Sequence, residues 1–140
     1  MGVAKPMVVI PAAAVLLALW SLRAGSMMGG EGPPPCDSQA CFVDAVAACE
    51  SGTAYMTRSA AGATAQYQVE GATEDGRCRL ALIYITHPEP AWREKPLFFA
   101  VDPGGDIGAQ LEQAVEGCLT GDANSEFQCD GPLLDVTEDR

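Results

Sequence analysis

Six cysteines constrain this chain more than anything else in it: Cys36, Cys41, Cys49, Cys78, Cys118 and Cys129 all follow an apolar N-terminal run, and none precedes it. An even number of thiols in a small exported domain reads as a disulfide set. Zinc is the competing reading. It fares worse because the chain has no C-x-x-C pair and its single histidine, His87, is far in sequence from any cysteine pair. No cofactor or metal is therefore expected.

Export rests on the N-terminus. Met7 to Leu22 is apolar throughout, with Lys5 before it and Arg23 after it. At about 16 residues it falls short of the ~20 of a spanning helix and slightly exceeds the roughly 7–15 of a signal-peptide core. Ala24-Gly25-Ser26 fits a signal-peptidase site, whereas Trp20 and Arg23 suit a retained interfacial anchor. Both readings stay open, with cleavage preferred. Residues 1–26 are thus a signal peptide or a membrane anchor, and 27–35 are a Gly/Pro linker. Residues 36–121 form the domain, and 122–140 form an acidic, mostly non-periodic C-terminal tail with Cys129 pinning its middle and Leu133-Leu134 able to tuck back. The protein is expected in the periplasm or outside the cell, or anchored in the membrane with the domain outside.

Charge excludes one class of partner. Beyond Ser26 there are six basic residues against nineteen acidic ones, a net −13. Such a surface repels phosphate backbones, so no nucleic-acid partner is expected. A membrane is a partner only if the N-terminal helix is retained.

The stretch Cys36 to Gly52 carries the first helix. Phe42, Ala45, Val46 and Cys49 fall at i, i+3, i+4 and i+7 and share one face. Asp37 or Ser38 is placed to cap its start, and Gly52 to end it. Leu111, Ala114, Val115 and Cys118 repeat that stripe, with Gly121 as the cap.

Between these helices lie four strand signals. Thr53 to Arg58 is β-prone, and Thr64 to Glu70 alternates, with Ala65, Tyr67 and Val69 on one face. Asp75-Gly76 marks a turn. Arg77 to Thr86 is apolar on both faces from Leu80 to Ile85 and reads as the central strand. His87 to Pro96 carries three prolines and cannot be a strand interior, and Leu97 to Val101 returns as a short buried strand. The expected fold is α+β: a four-stranded antiparallel meander covered by helices, stapled by disulfides and preceded by the apolar helix. The preferred pairing is Cys49–Cys78, Cys118–Cys129 and Cys36–Cys41, although Cys36 or Cys41 could equally reach the second helix.

The order of elements resembles a cystatin-like helix-on-sheet layout. Cys36, Cys41-Phe42, Ala45, Cys49, Tyr67-Gln68-Val69-Glu70-Gly71 and Cys78 also resemble small exported prokaryotic domains of unknown function. That likeness covers roughly residues 36 to 85 and implies no activity.

Motifs that carry chemistry are few. His87, between Pro88 and the strand end, is expected in an irregular loop with no orienting partner, and the short connections of the sheet offer no evident cleft. The stretch Asp122 to Leu133 fails the calcium-loop pattern, with Phe127 and Leu133 where Gly and Glu are needed. Asp102, Asp106 and Asp122 make at most a loose carboxylate group. The contact surface of choice is Glu89 to Lys95, where Trp92 and Arg93 on a proline-stiffened loop suit a protein partner. The expectation is a binding or structural domain rather than an enzyme, with an accessory subunit of an envelope membrane complex as the alternative. A small enzyme using His87 is the least favoured form.

Overall fold

The computed structural model describes residues 33–122 and 124–138, together with Gly2. The apolar run, its cleavage or anchoring, and most of the linker lie outside the described residues.

Helix α1 runs Gln39–Ala47, and the Ser38 side chain accepts the Cys41 N–H at its start. Its end differs from expectation. Cys49 itself takes the left-handed conformation, φ 47°, while Glu50 N–H reaches Ala45 O and Cys49 N–H reaches Val46 O. That pair of bonds is a Schellman cap with cysteine in the place glycine usually takes. The cause is the sheet: Gly52 N–H donates to Val69 O and Val69 N–H to Thr53 O, so the chain must leave the helix early to enter strand pairing. Gly52 therefore shapes the turn and does not cap the helix.

Strands β1 (Ala54–Arg58), β2 (Thr64–Ala72), β3 (Cys78–Thr86) and β4 (Pro96–Val101) form one antiparallel sheet in the order β1-β2-β3-β4. Tyr55, Tyr67, Leu82 and Leu97 stand opposite one another across it, and Val69, Leu80 and Phe99 make the next row. Strand alternation puts these side chains on one face. There they meet Phe42 and Val46 of α1 and Ile107, Leu111, Ala114 and Cys118 of α2 (Ile107–Thr120). The α2 helix begins and ends as its sequence implies, with Asp106 accepting the Ala109 N–H and Gly121 left-handed at φ 83°. The sheet's other face leaves Met56 and Ile85 exposed.

Three disulfides hold the layers, and their pairing is the preferred one: Cys36–Cys41, Cys49–Cys78 and Cys118–Cys129. The first closes the entry to α1. The second fixes the end of α1 to the first residue of β3, and the third ties α2 to the segment that follows it.

That last segment is more ordered than its acidic composition suggests. Phe98 N–H donates to Asp130 O, Asp130 N–H to Phe98 O, and Ala100 N–H to Phe127 O, which covers the outer edge of β4. Phe127 is buried, and a short helix α3, Pro132–Glu138, places Leu133 in the core. Gly131 makes the close approach possible. Its φ is 113°, and a Cβ there would stand 2.5 Å from Pro96 O. Gly131→Ala is expected to cost about 2–3 kcal/mol through clash and backbone strain. Hydrogen exchange should show it as faster exchange at the Phe98 and Asp130 amides, while β1–β2 pairing keeps its protection.

Candidate functional site

Past the Tyr67–Leu82 row, the helix-facing side of the sheet carries Thr57, Ala65 and Tyr84 in register across three strands. There it opens into a cleft of about 460 Å3. Ser59, Ala61 and Ala63 of the β1–β2 connection form one wall, and His87 and Pro88 beyond β3 form the other. The sequence reading allowed no such place. The hollow arises because the β1–β2 hairpin and the β3–β4 loop both extend beyond the same end of the sheet, which no single segment reveals.

The β3–β4 loop is folded back by its own groups. Glu94 N–H donates to Tyr84 O, and Arg93 Nε donates to His87 O at 3.0 Å. A single 3-10 turn, Pro90–Trp92, brings the indole under the histidine. The His87 and Trp92 rings stack at 4.6 Å and 16°, and Tyr84 meets His87 edge-on at 4.8 Å. Glu89 N–H donates to His87 Nδ1 at 3.0 Å. His87 thus has partners, contrary to the expectation from its proline-rich surroundings. A neutral ring held this way carries its proton on Nε2. Trp92 is half-buried against the core cluster. Of the two residues singled out for contact, Trp92 supports His87 from behind and Arg93 is engaged in closing the loop. The signal that was available is the His87–Trp92 spacing across Pro88 and Pro90, which turns two rings toward each other.

Tyr67 lies at the inner end of the cleft beside Phe42, ring centroids 5.8 Å apart. Burial pushes its phenol up to about 12, with Tyr84 and Glu112 adding to the effect. Burial also raises the Tyr84 phenol. Both remain neutral hydroxyls at any ordinary pH. A raised pKa in the folded state means stability that is complete below pH ~10 and lost as pH climbs toward 12, about 1.4 kcal/mol of it by pH 11. Phenolate absorbance should show one of the three tyrosines titrating well after the unfolded value, and Tyr67→Phe should remove that late step. A titration in which all three tyrosines ionise together near 10 would contradict the burial of this ring.

The acidic candidates do not gather. Asp102 Oδ1 accepts the Gly104 N–H, and the Asp102 backbone is clasped by the Gln110 amide at 2.7 and 2.9 Å. Asp106 caps α2, and Asp122 accepts from Thr120. These carboxylates serve turns and helix ends. Among the described residues no group of three His, Cys, Asp or Glu is placed to hold a metal ion, and no helix is long and apolar enough to cross a membrane. No family model, curated protein or solved structure matches the chain.

Proposed function

We propose that this chain is an exported binding module that takes a small ligand in the Thr57–His87 cleft and performs no chemistry of its own. The observation that carries the reading is the character of the lining. Apolar surface from alanines, Leu82 and Pro88 is interrupted by a few hydroxyls and one imidazole, the composition of ligand pockets in general. Ser59 and His87 both line it, but Ser59 Oγ accepts the Ala63 N–H and no hydrogen bond joins it to His87 among the described residues. A nucleophile with its base is not assembled there. The three disulfides are consistent with an oxidising environment, which favours export. Whether the apolar N-terminal run is kept, making this an accessory subunit of an envelope complex, turns on processing rather than on the cleft.

Two measurements test the reading. Protein from its native producer should either lack about 26 residues or sit in the membrane fraction, and in both cases gain about 6 Da on reduction. Full-length protein with six free thiols would sink export. In a thermal-shift screen of small molecules, a ligand at about ten times its Kd should stabilise the chain by ~1.4 kcal/mol, a shift of several degrees, and Tyr84→Ala should abolish the shift. A screen with no hit that depends on Tyr84 would sink the cleft as a binding site.

A further inference from the structure

We propose that the ligand of this cleft is a neutral pyranose sugar, its C–H face laid on the wall made by Tyr84, His87 and Pro88 and its hydroxyls turned toward Thr57, Ser59 and Tyr67. This rests on the binding-module reading and names its ligand class.

Charge gives the first argument. The chain holds 19 acidic residues, yet no carboxylate, ammonium or guanidinium lines the cleft. An anionic guest would meet the protein's negative field without a counter-charge, and a cationic guest would lose its hydration with no carboxylate in the lining to replace it.

Unused hydrogen-bonding capacity gives the second. Among the described residues no hydrogen bond engages the Thr57 hydroxyl or the phenols of Tyr67 and Tyr84, while Asp, Gln, Ser and Thr side chains elsewhere hold turns and caps. Ser59 accepts one bond within its own loop and keeps its O–H to donate. His87, with Nδ1 engaged by Glu89 N–H, presents Nε2. A wholly apolar guest would bury these groups without partners, which costs more than leaving the site empty. A molecule rimmed by hydroxyls matches them, donor for acceptor.

The third argument is shape. The wall is made of flat rings whose orientation is set before any ligand arrives. Trp92 stacks behind His87, and Tyr84 abuts it edge-on. Rings fixed in this way lose little freedom on binding. A pyranose unites an apolar C–H face with a polar edge, and among neutral molecules that pairing suits a fixed ring face opposite a row of hydroxyls. Tyr84 and His87 stand at 60° to each other, so the sugar lies on the face of one and against the edge of the other.

The test is two-dimensional NMR of the full chain against neutral disaccharides of glucose, mannose, galactose and N-acetylglucosamine, with glucuronate, glucosamine and phenol in parallel. The expected result is saturable shifts at residues 57–67 and 82–88 with at least one neutral disaccharide. Affinity should fall about tenfold or more in Tyr84→Ala, and severalfold in Thr57→Val and Tyr84→Phe, which keep the fold while removing single hydroxyls. Glucuronate and glucosamine should bind more weakly than the neutral sugar. Shifts at the same residues with phenol and with none of the sugars would overturn the sugar assignment and leave the cleft as a binding site. No shift there with any probe, or sugar shifts elsewhere on the sheet, would overturn both.

Discussion

Replacing Cys49 and Cys78 together by alanine is expected to lower the unfolding free energy by about 3.5 kcal/mol and the melting temperature by roughly 15–20 °C. The two residues are 29 apart in sequence, the longest loop closed by any of the three disulfides, so opening it releases the most freedom in the unfolded chain. The same arithmetic gives only about 2 kcal/mol for Cys36–Cys41, whose ends are 5 apart. Alanine is the better replacement because Cys78 is fully buried at the start of β3, where a serine hydroxyl would lack a partner. A companion variant separates the crosslink from the backbone. With Cys49 in the left-handed region, Cys49→Gly combined with Cys78→Ala should recover about 1 kcal/mol of the loss, since glycine occupies that conformation without steric cost. Urea unfolding of the three proteins measures both quantities. A double-alanine variant within about 1 kcal/mol of the parent would mean that this bridge does not carry the link between α1 and the sheet.

How much of this was legible in the sequence depended on the range of the interaction involved. The meander follows from local signals: alternation in Thr64–Glu70, an Asp75-Gly76 turn and three prolines after Thr86 mark strand limits without reference to the rest of the chain. The first helix was placed correctly and ended wrongly. FVDAVAACESG and LEQAVEGCLTG share their alanine, valine, cysteine and glycine positions, yet Cys118 lies inside α2 and Cys49 lies beyond α1. What separates them is the pairing of Thr53 with Val69, a contact set by the sheet and invisible to helical periodicity. The residues after Gly121 were legible at two points only, Cys129 as a pin and Leu133-Leu134 as a pair able to tuck back, and the path between them was not. Phe127 and Leu133 are too few to give a period, and they acquire a role only because Gly131 lets the chain run close beside Pro96 and Phe98. The cleft was least legible of all. Its walls come from two connections more than twenty residues apart in sequence, as the Thr86 hydroxyl's bond to Gly62 O shows. No single stretch of sequence announces a hollow that two loops make between them.

Phe42→Ala should produce the largest single-residue loss, about 3–5 kcal/mol. Helix α1 is nine residues long, shorter than the ~12–15 at which an isolated helix persists in water, so it exists by docking. Phe42 supplies most of that docking. It is fully buried, stacks on Tyr55 at 5.5 Å and tilts against Tyr67 at 5.8 Å. Truncation removes the ring's transfer free energy and leaves a cavity that two disulfide-held ends of α1 prevent from closing. The same ring is part of what buries Tyr67, so the variant has a second, independent signature. Tyr67 should titrate closer to 10, and the stability lost between pH 10 and 12 should shrink with it. Phe42→Leu keeps most of the volume and is expected to cost under about 1.5 kcal/mol with Tyr67 still titrating late. Chemical denaturation and phenolate absorbance on the three proteins distinguish the cases. If Phe42→Ala were to lose several kcal/mol while Tyr67 stayed near 12, the helix would stabilise the fold without contributing to the burial of the Tyr67 ring. The late titration of Tyr67 would then come from its neighbours on the sheet and Glu112 alone.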